Sequence, residues 1–131
     1  MGDQMREACG VFGIYAPDLD VARLTFYGLY ALQHRGQESA GICTSDGERL
    51  RLRTGMGLVS QVFDEEILQP LTGIAAIGHT RYSTTGSSSV HNAQPLLIQG
   101  PAGELALGHN GNVVNAAEIR SAMERDGHTF Q

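Results

Sequence analysis

Cys9 stands near the start of the chain in "CGVFGI", followed by Gly10, two apolar residues and Gly13. A thiol attacks as its thiolate, and with an ordinary pKa of about 8.5 it needs a base or a positive field beside it to serve as a nucleophile. Three further stretches hold more polar side chains than connecting loops require: "LQHRGQESAGI" at 32–42, "GHTRYSTTGSSSVHNAQPL" at 78–96 and "GHNGNVVN" at 108–115. Each falls at the end of an expected strand or helix. Taken singly, each has a plain reading. Cys43 fits a small buried hydrophobe, and Asn110-Gly111 fits a type I′ hairpin turn. Arg81 fits a surface side chain or half of an ion pair, and the serine-threonine run 83–89 fits a loop.

These groups need elements to position them. Residues 10–16, "GVFGIYA", predict a buried strand ended by the turn signal "PDLD". From Asp20, an N-cap residue, Val21, Leu24, Leu29 and Leu32 fall near one helical face, and Gly36 is placed to stop the helix. "SAGICTS" and "RLRLRTG" flank Asp46-Gly47 as the strands of a hairpin, with Leu50 and Leu52 alternating with arginines. "LVSQVFDEEILQPL" predicts one short helix capped by Ser60 and closed before Pro70, and "GIAAIGHTRY" a strand running into polar residues. "PLLIQGPAGELALGHNGN" holds two strands joined by the turn at 100–103. "NAAEIRSAMERDG" predicts a helix with Asn115 as cap, Glu118 completing a capping box and Gly127 as the stop. "HTFQ" reads as the start of an extended segment without a partner, so the sequence is read as cut short.

Composition narrows the classes of function. At 131 residues with 41% hydrophobic content, the chain suits a single globular unit, or part of one. A formal charge of -5 leaves no basic surface for a phosphate backbone, so nucleic acid is excluded as a partner. No apolar stretch is long enough for a membrane span and Met1 to Ala8 lacks an apolar core, so a cytoplasmic protein is expected. Two cysteines build no disulfide framework, and both are read as reduced thiols. "TGMGLVS" at 54–60 imitates a dinucleotide loop but has Ser60 in place of the third glycine. The histidines have no HExxH or CxxC companions, so no zinc site is expected. His79 and His109 read as hydrogen-bonded structural residues.

Together, "CGVFGI", "LQHRGQESAGI", "GHTRYSTTG" with "NAQPL", and "GHNGN", in this order, resemble the class II glutamine amidotransferase domain of N-terminal-nucleophile hydrolases. The resemblance runs from Cys9 to Gln131. Within the family it is closest to the branch serving purine synthesis. The glucosamine-phosphate branch usually has tyrosine where His34 stands and tryptophan where Tyr82 stands.

The resemblance implies an α+β fold, the N-terminal part of a four-layer αββα sandwich. It implies that residues 1–8 are a leader whose removal makes Cys9 the first residue, and that 9–131 is the N-terminal part of the glutaminase domain. The freed α-amine, with an unperturbed pKa of roughly 7.7–8.0, would then accept the thiol proton. Glutamine would acylate Cys9 and release ammonia to a phosphoribosyl acceptor, with glucosamine-phosphate synthase, glutamate synthase or an inactive binding module as the alternatives. Asn110 and the Gly111 amide would hold the oxyanion, and Arg81 the glutamine carboxylate. Tyr82 to Asn92 would close over the substrate. Arg35 and Gly36 would shape the pocket, with His109 grouped beside the substrate. No cofactor is expected in this segment. The resemblance places the ammonium-binding aspartate, the phosphoribosyltransferase domain, its magnesium and any 4Fe-4S cluster in sequence beyond Gln131, and implies a homo-oligomer at full length.

Overall fold

The computed structural model describes residues 9–33, 36–82, 90–111 and 113–130. Strand β1 (Gly10–Tyr15) turns Phe12 and Ile14 inward and leaves Val11, Gly13 and Tyr15 open. That alternation marks a strand covered on one face. With β2 (Gln37–Ser45), β3 (Leu50–Met56) and β4 (Ala75–Tyr82) it forms an antiparallel sheet in the order β1-β4-β2-β3. Of the two inner strands, β4 and β2, the one beside β1 is therefore the one that ends in "HTRY".

Helix α1 (Val21–Leu32) covers one face of this sheet. Asp20 caps it as expected, its Oδ1 accepting the Arg23 N–H at 3.0 Å. Its inner stripe places Thr25 and Leu29 directly over Gly78. Leu29, Ile42, Val59 and Phe63 are buried in the resulting core, each stabilising it by about 1.5–3 kcal/mol. The helix ends at Leu32 rather than at Gly36. Gln33 leaves in an extended conformation, and its Oε1 accepts the Val59 N–H at 3.2 Å, which ties α1 to the following helical turns. Gly36, at φ 90°, serves the turn into β2 instead.

The single helix expected over 58–71 is two, α2 (Val59–Val62) and α3 (Glu65–Leu68). Phe63 breaks them by taking extended backbone as its side chain enters the core. Asp64 caps α3 through the Ile67 N–H at 2.8 Å, whereas Ser60 lies inside α2 and caps nothing. Arg23 then clamps α3 to α1 with two bonds of 2.6 Å to the Glu65 carboxylate. This pairing holds the Glu65 carboxyl below its ordinary pKa.

On the opposite face of the sheet lies the hairpin β5 (Leu96–Gly100) and β6 (Gly103–Leu107). The Leu50 N–H donates to Glu104 Oε2 at 3.2 Å, and a cavity of about 310 Å³ separates hairpin and sheet, lined among others by Cys43, Ile77 and Leu105. Helix, sheet and second strand pair thus stack as successive layers of the expected sandwich. Helix α4 (Ala116–Arg125) follows. Its expected capping box does not form: Asn115 has φ -115° and ψ 35°, away from the extended cap conformation, and makes no side-chain cap bond. Its end is as expected. Gly127, at φ 92°, donates to the Glu124 carbonyl at 3.1 Å while His128 donates to Met123 at 3.0 Å. Residues 128–130 form no strand, and the Arg120 guanidinium lies 4.9 Å from the Phe130 ring centre.

Gly41 in β2 is where the segment before β5 seats on the sheet. A Cβ there would collide with the Gln94 carbonyl oxygen and lie 2.8 Å from Thr54 Cγ2. The obstruction is backbone, which no rotamer change relieves. Gly41→Ala is expected to destabilise the fold by about 1–3 kcal/mol in denaturant unfolding, and unchanged stability would show that the 93–95 segment moves freely off the sheet.

Candidate active site

Antiparallel pairing brings the N-terminal end of β1 beside the C-terminal end of β4, with Gly10 opposite Thr80 and Gln37 of β2 opposite Tyr82. The polar motifs separated in sequence therefore meet at one end of the sheet. Cys9 is half-buried there: its Sγ accepts the Tyr82 N–H at 3.4 Å and lies 3.7 Å from the Tyr82 carbonyl oxygen. The next residue is held as well, because the Gly10 N–H donates to the buried Thr80 hydroxyl at 3.1 Å. Cys43 is different. It is 3% exposed, and burial pushes its thiol pKa up, which keeps it protonated and unreactive.

Alternation along β4 sends Thr80 toward α1 and His79 and Arg81 to the opposite face, the side of the β5–β6 hairpin. One Arg81 Nη donates to the Asn92 carbonyl at 3.0 Å, which fixes the direction of the guanidinium. His79 is fully buried, with its Nε2 2.9 Å from the His109 carbonyl oxygen. A carbonyl only accepts, so this ring carries its proton on Nε2. Burial also lowers its pKa and favours the neutral ring.

Asn110 and Gly111 do not form the hairpin turn that their types alone suggest. Strand β6 ends at Leu107, and among the described residues none pairs with it after Gly111. Both residues are exposed, and Gly111 has φ 138°, a conformation suited to glycine. The preceding residue is anchored twice: the His109 carbonyl by His79, and the His109 N–H by Gln94 Oε1 at 2.7 Å.

The other expected site residues are distributed as follows. Tyr82 is the last residue of β4 and is buried, so the stretch from Tyr82 to Asn92 starts inside the sheet and ends in a 3₁₀ turn at Val90–Asn92. Residues 83–89 and Arg35, like His34, lie outside the described residues. Gly36 is exposed at the turn into β2, and His109 is exposed beside Gly111. Gln94 and Thr80 were not singled out from the sequence. Both stand inside quoted motifs, "NAQPL" and "GHTRY"; Gln94 stands out as a polar residue between Ala93 and Pro95, whereas Thr80, between His79 and Arg81, carries no such mark.

A cysteine at the head of β1, a layered sheet whose inner strand β4 ends beside it, and a glycine-bearing segment pinned to that strand define a class: the N-terminal part of an αββα sandwich of the N-terminal-nucleophile hydrolase type. No protein-family model matches the chain. An amidophosphoribosyltransferase from Synechococcus elongatus is 60% identical over 126 residues, 96% of this chain and 26% of that protein. Those from Mycobacterium tuberculosis and Methanocaldococcus jannaschii are 59% and 51% identical, over 92% and 93% of this chain and 23% and 26% of theirs. A solved structure described as the allosteric regulatory enzyme of purine biosynthesis superposes with a TM-score of 0.83 at 47% identity, covering 92% of this chain and 26% of that one. Glutamine phosphoribosylpyrophosphate amidotransferase from B. subtilis, complexed with ADP and GMP, gives 0.75 at 43%, covering 95% and 26%. The chain is homologous to the N-terminal part of the amidophosphoribosyltransferases. It spans about a quarter of the length of the curated relatives it matches.

Proposed function

We propose that this chain carries the glutaminase half-site of an amidophosphoribosyltransferase, which supplies ammonia to form 5-phosphoribosylamine from phosphoribosyl diphosphate in purine synthesis. The observation that carries the reading is that Cys9, Arg81 and the Asn110–Gly111 segment are all tied to the last four residues of β4. Cys9 Sγ attacks the side-chain amide carbon of glutamine, and its proton passes through the α-amine of processed Cys9 to the departing nitrogen. The C–N bond breaks, ammonia leaves, and water hydrolyses the thioester to glutamate. Asn110 and the Gly111 N–H stabilise the oxyanion, and Arg81 pairs with the glutamine α-carboxylate as a planar, bidentate donor. Tyr82, Arg35, Gly36 and His109 border the substrate in this reading.

The rest of the enzyme follows the same logic. In this reading the phosphoribosyltransferase domain, its magnesium and any 4Fe-4S cluster belong to the part of the full-length enzyme that this chain does not span. Among the described residues no group of three or more His, Cys, Asp or Glu side chains is arranged to hold a metal ion, and no step here is routed through one. The enzyme acts in the cytoplasm as a homo-oligomer. No helix among the described residues is long and apolar enough to cross a membrane.

Residues 1–8 are a leader in this reading, because an amide-blocked Cys9 nitrogen is no base. Protein produced at the length of the relatives is expected to release glutamate and diphosphate from glutamine and phosphoribosyl diphosphate, with an N-terminus that begins at Cys9. Full activity with Met1 or Gly2 still attached would remove the α-amine from the mechanism, and no glutamate release would overturn the assignment.

A further inference from the structure

The segment that carries Asn110 and Gly111 has no sheet ladder to hold it. Gly108 to Gly111 lie beyond β6 and before α4, and three of the four residues are largely exposed. What holds the segment is side chains from two other places. His79 Nε2, on the inner strand β4, donates to the His109 carbonyl, which belongs to the peptide leading into Asn110. Gln94 Oε1 accepts the His109 N–H from the other side, and the Gln94 backbone is itself seated on β2 at Gly41. Both backbone polar groups of His109 are thereby fixed by side chains on the sheet side of the site.

His79 is fully buried, and its Nε2 is committed to the His109 carbonyl. An apolar side chain would pack there, but it would give the His109 carbonyl no donor. The ring also lies beside the segment: a Cβ added at Gly108 would stand 3.9 Å from His79 Cδ2. Two positions further along the same face stands Arg81.

We infer that His79 and Gln94 are positioning residues that hold the peptide before Asn110 so that the Asn110 amide and the Gly111 N–H point at the oxyanion formed on the Cys9 substrate. The inference rests on the reading of Asn110 and Gly111 as oxyanion donors. An oxyanion hole acts through preorganised geometry, so a segment free to swing loses transition-state stabilisation while ground-state binding through Arg81 persists.

The test uses protein at the length of the relatives, assayed with glutamine and, separately, with ammonia. His79→Leu keeps bulk and removes the donor: glutamine-dependent kcat is expected to fall about 100-fold with KM within about 3-fold. His79→Gln, which returns an N–H donor at similar reach, is expected to recover to within about 10-fold of wild type. Gln94→Met is expected to lower kcat by about 10-fold, and ammonia-dependent activity to stay level in all three. In an Asn110→Ala background His79→Leu is expected to cost less than about 10-fold more, because contacts that act as a unit do not add. Wild-type kcat in His79→Leu, or a loss that raises KM alone, would overturn the inference. If His79→Leu fails to fold and loses ammonia-dependent activity too, Gln94→Met decides: a selective fall in glutamine-dependent kcat supports the inference and an unchanged kcat overturns it. Cys9→Ala separates the two levels. Glutamine use surviving that change would refute the functional reading itself, whereas failure of the His79 series alone would refute only the positioning role.

Discussion

Cys9→Ala is expected to abolish glutamine-dependent product formation, a fall on the order of 10⁴–10⁶, while ammonia-dependent formation continues at the wild-type rate. The nucleophile is lost entirely, and the acceptor chemistry resides, in this reading, on another domain. Structure separates the two thiols before any assay. Cys9 is half-buried at the site end of the sheet, with its sulfur receiving the Tyr82 N–H. Cys43 faces the interior between sheet and hairpin, and its thiol is held protonated by burial. Cys43→Ala is therefore expected to keep both activities and to cost only about 1 kcal/mol in packing. Steady-state assays of the two variants with each nitrogen source make the comparison. The opposite pattern, glutamine use lost with Cys43 and kept without Cys9, would place the nucleophile on the wrong residue.

Asn110→Ala carries the second-largest expected effect. Removing one preorganised donor lowers kcat for glutamine by about 10²–10³. KM should change little, because the oxyanion does not exist in the ground state and Arg81, in the proposed reading, still holds the carboxylate. Asn110 is exposed and outside any regular element, so stability is expected to stay within about 0.5 kcal/mol of wild type. Measured kcat and KM for glutamine, beside an unfolding curve, check all three statements. A raised KM with unchanged kcat would make Asn110 a ground-state binding residue instead.

The elements were legible where a local rule acts alone. Asp20 as the cap of α1, Gly127 as the stop of α4 and the "SDGE" turn between β2 and β3 depend on a few neighbouring residues, and each stands where the sequence puts it. The misread boundaries are those where a distant group intervened. Gln33 leaves the helix early and bonds to Val59, and Phe63 splits one helix into two by entering a core built mostly from other elements. Asn115 shows a local rule losing to backbone geometry.

By itself the sequence determined which side chains are candidates for chemistry. A thiol near the start, an arginine in "HTRY" and an asparagine-glycine pair in "GHNGN" differ from the core in type, and residue type is local information. What only the tertiary structure decided is how they are assembled. Antiparallel register sets Cys9 against Tyr82, the two-residue alternation of β4 puts His79 and Arg81 on one face, and packing on Gly41 places Gln94 within reach of His109. None of these follows from spacing along the chain, because a strand pairs with whichever neighbour buries its apolar face, and that choice belongs to the whole fold.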